Sequence, residues 1–281
     1  MEPKREARAQ AVQRTSARRL ARTGLLVPLL LLVTGCSRDD IPNFGWPNAI
    51  TPQGQRALDL WKGSSVAALV VCVGVYGLIF WAMVAYRRRD DKLPEQVAYN
   101  LPVEVLYTVI PTIIVAFLFY FTAKDEDYIN DLSKKPDCTV NVVGFQWAWQ
   151  FNYTDCGSAT GLSIVGRPGR PAAEGGELSQ LILPADQRIR FVETSPDVIH
   201  SFWVPDLLFK RDVIPGRQNT WQVDSIVAGT YKGRCAELCG MDHSRMLFTV
   251  KVVPQDEFDS LIAAAKADTT SGKYSVNGGN Q

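Results

Sequence analysis

Two long uncharged apolar segments, joined by a short basic loop, constrain the fold of this chain more than any other feature. Residues 64–86 and 105–121 contain no charged side chain, and as helices they are long enough to cross the roughly 30 Å hydrocarbon core of a bilayer. The loop between them carries Arg87, Arg88 and Arg89, so the positive-inside rule places it in the cytoplasm. We therefore predict a transmembrane hairpin over residues 64–122 with both ends outside; two buried helices of a soluble core are the alternative.

The N-terminus predicts export through a second, independent signal. Residues 1–35 hold seven Lys/Arg and two Asp/Glu and contain the apolar run LLVPLLLLV, which is too short to span a membrane and is typical of a signal peptide. The VTGCS sequence at its end looks like a lipobox, where cleavage precedes a cysteine that is then acylated. We predict a signal peptide over 1–35, a lipid anchor at Cys36 and an external segment over 36–63. An ordinary signal with a chance cysteine is the alternative.

The charge distribution argues against a nucleic-acid partner. The formal net charge of the chain is +1, but residues 1–35 contribute +5, which leaves −4 on the remainder. Nucleic-acid binding depends on clustered Lys and Arg that neutralise phosphates. The exported part of the chain is mildly acidic and does not fit that pattern.

The polar residues after the hairpin predict an external all-β domain. Short runs such as CTVNVVGFQWAWQFNY, QRIRFVETS and MLFTVKVV are rich in β-branched and aromatic residues and are separated by Gly, Pro and Asp. A sandwich or barrel over residues 123–266 fits this pattern. The segment QDEFDSLIAAAKA near its end predicts one helix, and residues 267–281 lack apolar content and are expected to be disordered.

Two cysteines, a histidine and a methionine cluster in one short segment of that domain. The spacing is Cys235-x3-Cys239-x3-His243-x2-Met246, and the only other histidine is His200. Soft thiolate and thioether ligands together with imidazole favour copper. A single blue-copper site uses one cysteine, whereas two thiolates can each bridge two coppers, which limits movement on reduction and suits fast electron transfer. A structural Cys2His2 zinc site and a Cys235–Cys239 disulfide are the alternatives.

Three blocks of this sequence, DVIHSFWVP, DVIPGR and CAELCGMDHSRM, resemble in order and spacing those of subunit II of haem–copper cytochrome c oxidases. The resemblance covers about residues 55–260 and implies a cupredoxin-like domain with a dinuclear copper A centre. It implies that Cys235 and Cys239 bridge the coppers and that His200 and His243 cap them. The Met246 thioether and the Glu237 carbonyl would be weak axial ligands, and the Glu237 carboxylate would help to bind Mg²⁺ at the interface with subunit I.

The same resemblance assigns roles to two residues outside the copper segment. In GFQWAWQFNY, Trp147 matches the surface tryptophan through which electrons enter, although strand alternation alone favours packing of Trp147 and Trp149 in a sheet. In EVLYTVIP, Glu104 matches the glutamate at the cytoplasmic mouth of a proton channel in subunit I, although a solvated residue at a helix end is the alternative. Tyr107 stands where the family usually has tryptophan.

The resemblance implies an electron-transfer subunit of a proton-translocating plasma-membrane oxidase. Its partners would be oxidase subunits I and III, the membrane lipid and a c-type cytochrome donor, soluble or membrane-bound. A quinol-oxidase subunit, a lipid-anchored copper carrier and a zinc-stabilised exported module are the alternatives. Cys72 lies in the first apolar segment and is expected to pack there, whereas Cys138 and Cys156 could form a disulfide in an oxidising compartment or stay reduced.

Overall fold

The computed structural model describes residues 41–89, 93, 95–166, 178–268 and 273–276. The predicted signal peptide and the Cys36 anchor lie outside these residues, so both remain expectations. The chain divides into two compact units, of which the first ends at Trp46. Its described part contains one short 3-10 helix, Ile41–Asn43. The second unit, Pro47–Gln281, contains the apolar helices and the β domain.

Two long apolar helices open this unit, as the hydrophobic segments predict. Helix α1 spans Pro52–Ala85 and helix α2 spans Leu101–Ile129, and each has the length and hydropathy to cross a membrane. The apolar windows of both helices are entirely unburied by protein, which contradicts the alternative of a soluble core. Helix α1 begins twelve residues before the predicted span, because Thr51 caps it: its Oγ1 accepts a 3.0 Å hydrogen bond from Gly54 N.

The β domain is a sandwich of two mixed sheets and not a closed barrel. Its strands are β1 (Cys138–Phe145), β2 (Ala148–Asp155), β3 (Leu162–Val165), β4 (Ser179–Pro184), β5 (Ile189–Thr194), β6 (His200–Val204), β7 (Phe209–Val213), β8 (Asn219–Val223), β9 (Gly229–Cys235), β10 (Leu247–Val253) and β11 (Tyr274–Val276). One sheet has the order β11-β3-β2-β1-β5-β8 and the other β4-β10-β9-β6-β7. The parallel pairs are β1 with β5 and β4 with β10. This confirms the all-β expectation.

Helix α3 and strand β11 complete the domain at its C-terminal end. Helix α3 spans Gln255–Ala267 and buries Phe258, Ile262 and Ala265, as its apolar periodicity predicts. The expectation of a disordered tail is wrong for Tyr274–Val276, which pair with β3 in antiparallel register. The backbone hydrogen bonds of an edge strand stabilise a segment whose side chains give little apolar signal.

Aromatic side chains fill the space between the two sheets. Trp149 and Phe202 are almost fully buried, and their rings meet edge to face at 5.6 Å. Phe202 also stacks on Phe248 at 4.7 Å. Burial of such large rings dominates the stability of a domain of this size.

The five cysteines within the described residues fall into three environments. Cys138 and Cys156 form a disulfide between the start of β1 and the residue that follows β2. Cys72 lies on the exposed surface of α1, whereas Cys235 and Cys239 are free and buried. The structure therefore pairs Cys138 with Cys156, which the sequence leaves open, and leaves reduced the two thiols of the predicted metal segment.

Polar contacts tie the helical hairpin to the β domain. Gln53 Oε1, in the first turn of α1, accepts a 3.0 Å hydrogen bond from the backbone N–H of Asp224 at the end of β8. Arg56 lies 3.6 Å from Asp125 of α2 and over the Tyr128 ring. The Gln53 contact holds the β domain at the start of α1, and the Arg56 contacts join the two helices at that same end of the hairpin.

Candidate metal centre

The ligand residues predicted from the sequence lie at one end of the sandwich, on two neighbouring strands and one loop. His200 begins β6 and is 0% exposed, and Cys235 ends β9 and is 4% exposed. The loop between β9 and β10 supplies the other ligands. Its base is closed by a 3.0 Å hydrogen bond from Cys235 N to Met246 O, so the first and last ligands of the loop are held together.

The donor atoms form a chain in space. Cys235 Sγ lies 3.9 Å from His200 Nδ1 and 3.8 Å from Cys239 Sγ. Cys239 Sγ in turn lies 3.6 Å from His243 Nδ1 and 3.8 Å from Met246 Sδ. Each cysteine therefore has its own histidine, and the two sulfur atoms lie between the two imidazoles.

The backbone of the loop supplies one further donor. The carbonyl oxygen of Glu237 lies 3.3 Å from Cys235 Sγ, so it faces the same cluster from the side of that sulfur. The carboxylate side of Glu237 is exposed. The carbonyl and the side chain therefore serve different surroundings, as the family resemblance implies.

The geometry fits a metal cluster better than a disulfide or a single tetrahedral ion. The two sulfur atoms are 3.8 Å apart, far beyond the roughly 2.05 Å of a disulfide but less than two metal–sulfur bonds of about 2.3 Å each. One ion can therefore contact both sulfurs. Two thiols, two imidazoles, a thioether and a carbonyl offer more donors than one tetrahedral zinc ion uses.

The two thiols differ in their ionisation. Burial disfavours the thiolate of Cys235, but hydrogen bonds from His200 and from backbone groups outweigh it and lower the pKa of that thiol to about 6. Burial and the neighbouring Cys235 charge raise the pKa of Cys239. Two thiolates this close repel each other, so a bound cation is what allows both sulfurs to be ionised together.

Asp197 orients His200 from behind. Its Oδ1 lies 2.9 Å from His200 Nε2, which leaves Nδ1 directed at Cys235. Partial burial disfavours the Asp197 carboxylate, but hydrogen bonds from His200 and from the backbone N–H groups of Gln146 and Val198 outweigh it and lower its pKa. An ionised carboxylate on the far nitrogen is the usual second partner of a metal-binding histidine.

The turn between β1 and β2 contacts the ligand loop directly. Gln146 Nε2 and Trp147 Nε1 both donate to the backbone carbonyl of Cys239, at 2.8 and 3.3 Å. Gly240 has φ +126°, and a Cβ there would lie 3.0 Å from Trp147 Nε1, so only glycine lets the indole approach this closely. Trp149 is buried in the core instead. Trp147 sits in a turn, so the strand alternation that grouped the two tryptophans does not apply.

Glu104 lies apart from the metal cluster, at the opposite end of the hairpin. It is in the first turn of α2, where its Oε1 accepts a 3.0 Å hydrogen bond from Asn100 N. Asn100 Oδ1 accepts in return from Val103 N. This reciprocal pair caps the helix, so the structure gives Glu104 a local role that also fits the alternative interpretation of a helix-end residue.

Sequence reasoning missed Asp197 and Gln146 as parts of the centre. Asp197 stands three residues before His200, and a carboxylate at this spacing from a metal-binding histidine is a usable signal. Gln146 gives no such signal, because its contact with Cys239 spans 93 residues and depends on the packing of the two sheets.

Replacing Asp197 with asparagine is expected to weaken metal binding by about 10- to 100-fold without unfolding the domain. The amide keeps the size of the side chain but loses the charge that orients His200. Copper titration of the purified chain, followed by its absorption, measures the change. Asp259→Asn, at an exposed site on α3, is the matched control. An unchanged copper affinity in Asp197→Asn would show that His200 is positioned by its strand alone.

Comparison with known proteins points to one family across both parts of the chain. The family model for the transmembrane domain of cytochrome c oxidase subunit II matches residues 41–123, and the model for its periplasmic domain matches residues 138–253. A protein of Streptomyces avermitilis called a probable cytochrome c oxidase subunit 2 is 48% identical over 277 residues, covering 86% of this chain and 87% of its own length. Cytochrome c oxidase subunit 2 of Mycobacterium tuberculosis is 35% identical over 294 residues, covering 87% and 81%.

Among solved structures, similarity is found to the periplasmic domain of subunit II of the cytochrome oxidase of Bradyrhizobium japonicum. That domain is 32% identical in sequence and superposes with a TM-score of 0.43, covering 48% of this chain and 98% of its own.

Proposed function

Because this chain belongs to the cytochrome c oxidase subunit II family, we propose that it carries electrons from a c-type cytochrome to haem in subunit I. It acts as part of an oxidoreductase complex that reduces oxygen to water and translocates protons. The observation that carries this proposal is the arrangement His200–Cys235–Cys239–His243, in which two buried sulfurs lie between two imidazoles. A dinuclear copper site explains this set of soft donors better than a single zinc ion or a disulfide does.

Each donor has a proposed place around the copper. Cys235 and Cys239 would bridge the two ions, and His200 and His243 would each complete one of them. Met246, next to Cys239, and the carbonyl of Glu237, next to Cys235, would be weak ligands. A dinuclear copper centre of this kind supplies reversible transfer of one electron.

The protein's own contribution is to keep the donors still. A backbone hydrogen bond between Cys235 and Met246 closes the base of the loop. From the core, Trp149 Nε1 donates a 3.4 Å hydrogen bond to Met246 O. Burial of both sulfurs excludes water from them. Fixed and dry donors need little rearrangement when charge arrives or leaves, which supports fast electron transfer.

Trp147 is the proposed entry point for electrons. Its indole is partly exposed, and its N–H reaches the carbonyl of Cys239, a bridging ligand in this proposal. Leu238 and Met241, in the same loop, are 77% and 89% exposed. Large apolar side chains exposed beside a buried site suit contact with a partner protein, here the cytochrome donor or subunit I.

The exposed carboxylate of Glu237 is proposed to hold Mg²⁺ together with subunit I, since carboxylate oxygens are the ligands that this ion prefers. Glu237→Gln is expected to remove this ion from the complex and leave copper bound, because the backbone carbonyl is unchanged. Manganese substituted for magnesium and followed by magnetic resonance measures the loss. Glu257→Gln, exposed on α3, is the control. Retention of manganese by Glu237→Gln would contradict the proposed ligand.

Glu104 is proposed to lie at the cytoplasmic mouth of a proton channel in subunit I. The cytoplasmic basic loop and the start of α2 support that position. Glu104→Gln can still accept the hydrogen bond from Asn100, so the helix cap persists while the titratable group is lost. Proton uptake by the complex in vesicles should slow by several-fold. Proton uptake at the wild-type rate would favour the capping role alone.

The location and the partners follow from the same arrangement. Two apolar helices anchor the protein in the membrane, and the β domain lies outside the cytoplasm. We propose that both helices pack against subunit I, that subunit III is a further neighbour, and that an acyl group on Cys36 adds a lipid anchor.

Metal analysis of the purified full-length chain tests the proposed function. Two coppers per chain are expected after loading with copper. One zinc, or one labile copper, would instead support a zinc-stabilised module or a copper carrier. Mass spectrometry of the mature N-terminus tests the anchor at Cys36 separately.

A further inference from the structure

An acidic side chain lies in the core between the two sheets. Along β5, Ile189, Phe191 and Glu193 alternate toward the buried face, and Glu193 is 0% exposed. Its Oε1 accepts a 2.7 Å hydrogen bond from the indole N–H of Trp221. Its Oε2 is buried without a hydrogen-bond partner. A buried carboxyl oxygen without a hydrogen bond destabilises the folded state, so we expect a hydrogen-bonding ligand at this atom.

A second unpartnered polar atom belongs to the facing sheet. Arg211 of β7 is paired with Phe202 of β6, so both side chains project from the same side of that sheet, the side on which Phe202 joins the core. Arg211 Nε is buried and has no hydrogen-bond partner. Its Nη2 donates at 2.6 Å to Oδ1 of Asn130, the cap residue that follows α2.

The two atoms belong to one electrostatic environment. Burial raises the pKa of Glu193 well above its usual range; the Trp221 hydrogen bond and the Arg211 charge oppose this, and Asp212 adds to it. A protonated Oε2 is a hydrogen-bond donor, and so is Arg211 Nε–H. Packing brings the two side chains to the same place: Phe209 lies against Trp221, the partner of Glu193, at 4.7 Å, and the Arg211 guanidinium lies 5.0 Å from the centre of the Phe209 ring. Two donors in one buried environment need an acceptor.

We propose that Glu193 Oε2 and Arg211 Nε together bind one internal water molecule. Water accepts from Arg211 and can either accept from or donate to Glu193, so it suits both protonation states of the carboxyl. The Arg211 charge would repel a cation and the Glu193 carboxyl would disfavour an anion, so a small neutral ligand fits best. Buried waters of this kind satisfy several otherwise unpartnered polar atoms.

The water completes a polar link through the domain. The link runs from Trp221 through Glu193, the water and Arg211 to Asn130 at the outer end of α2. Ser201, next to the ligand His200, donates to the Arg211 carbonyl at 3.2 Å. The link therefore fixes the edge strand beside the metal-ligand strand to the second apolar helix, and it does not depend on a bound metal.

A double-mutant cycle on the full-length chain tests the site through the midpoint of thermal unfolding. Glu193→Leu and Arg211→Leu are each expected to lower the midpoint by about 5 °C, because each leaves the other polar group unpartnered. The double variant should lose less than the sum of the two single variants, because the unpartnered group that each single variant leaves behind is absent from the double variant. Glu193→Gln, which can still hydrogen-bond water, should lose less than Glu193→Leu, and Glu257→Leu, at an exposed site, is the control.

A high-resolution experimental map of the complex supplies the second readout. Water density within hydrogen-bonding distance of both Glu193 Oε2 and Arg211 Nε is expected. A direct bond between the two side chains without water, or strictly additive losses in the cycle, would overturn the proposal. If Glu193→Leu does not fold, Glu193→Gln carries the test, and loss of the water density in that variant together with a wild-type midpoint would also overturn it.

Discussion

Cys235→Ser and Cys239→Ser should each abolish stable copper binding and lower electron transfer from the cytochrome by more than about 100-fold. Serine offers a neutral hydroxyl where copper needs a soft thiolate, and removing a ligand should cost more than the 10- to 100-fold that loss of a ligand's hydrogen-bond partner costs. No other donor in the centre can take the place of these two thiolates. Copper content and reduction by the cytochrome, measured on the same preparation, give both effects.

The matched control for these variants is Cys72→Ser on the exposed face of α1. It removes a thiol without touching the metal cluster and should keep copper and activity. Both cysteine variants should also retain the folded β domain, because serine is close to cysteine in size and both the aromatic core and the Cys138–Cys156 disulfide are unaffected. Two coppers and normal turnover in either variant would refute the bridging arrangement.

Trp147→Ala should slow electron transfer from the cytochrome by about tenfold or more, which corresponds to at least about 1.4 kcal/mol in the barrier, while copper stays bound. The substitution removes both the partly exposed ring and the hydrogen bond to the Cys239 carbonyl. It removes no copper ligand. Gln146 still donates to the Cys239 carbonyl, so that carbonyl keeps one hydrogen bond from the turn. Stopped-flow reduction by the cytochrome measures the rate.

Two further measurements separate electron entry from structural damage in Trp147→Ala. A small soluble reductant that reaches the metal without the cytochrome should reduce Trp147→Ala at the wild-type rate. Trp203→Ala removes another tryptophan, one whose ring packs against Arg234 of β9, and should leave both rates unchanged. If Trp147→Ala and wild type accept electrons from the cytochrome equally fast, electrons enter elsewhere.

The parts of the fold that follow from local composition could be predicted from the sequence. The apolar spans and the basic loop predict the hairpin because hydropathy is a property of each segment alone. The early start of α1 was missed, since Arg56, Asp59 and Lys62 interrupt the apolar signal, although Thr51 and Pro52 form a recognisable N-terminus. Strand β11 was missed because its pairing with β3 is decided by distant residues.

The metal cluster shows the same division between local and distant information. Spacing within one loop and the scarcity of histidine identify Cys235, Cys239, His243 and Met246 as candidates. That His200 joins them, and that each histidine faces its own cysteine, depends on the order of strands in one sheet. Alternation puts Trp147 and Trp149 on one face of a strand, but Trp147 lies in the turn between β1 and β2 and packs only partly against the core.

Electron paramagnetic resonance of the copper-loaded full-length chain, in its oxidised form, tests the central claim most directly. If two sulfur atoms hold two coppers between two histidines, one unpaired electron is shared, and the spectrum shows hyperfine splitting from two equivalent copper nuclei. Splitting from a single copper nucleus, or a silent spectrum with one zinc per chain, would contradict the account.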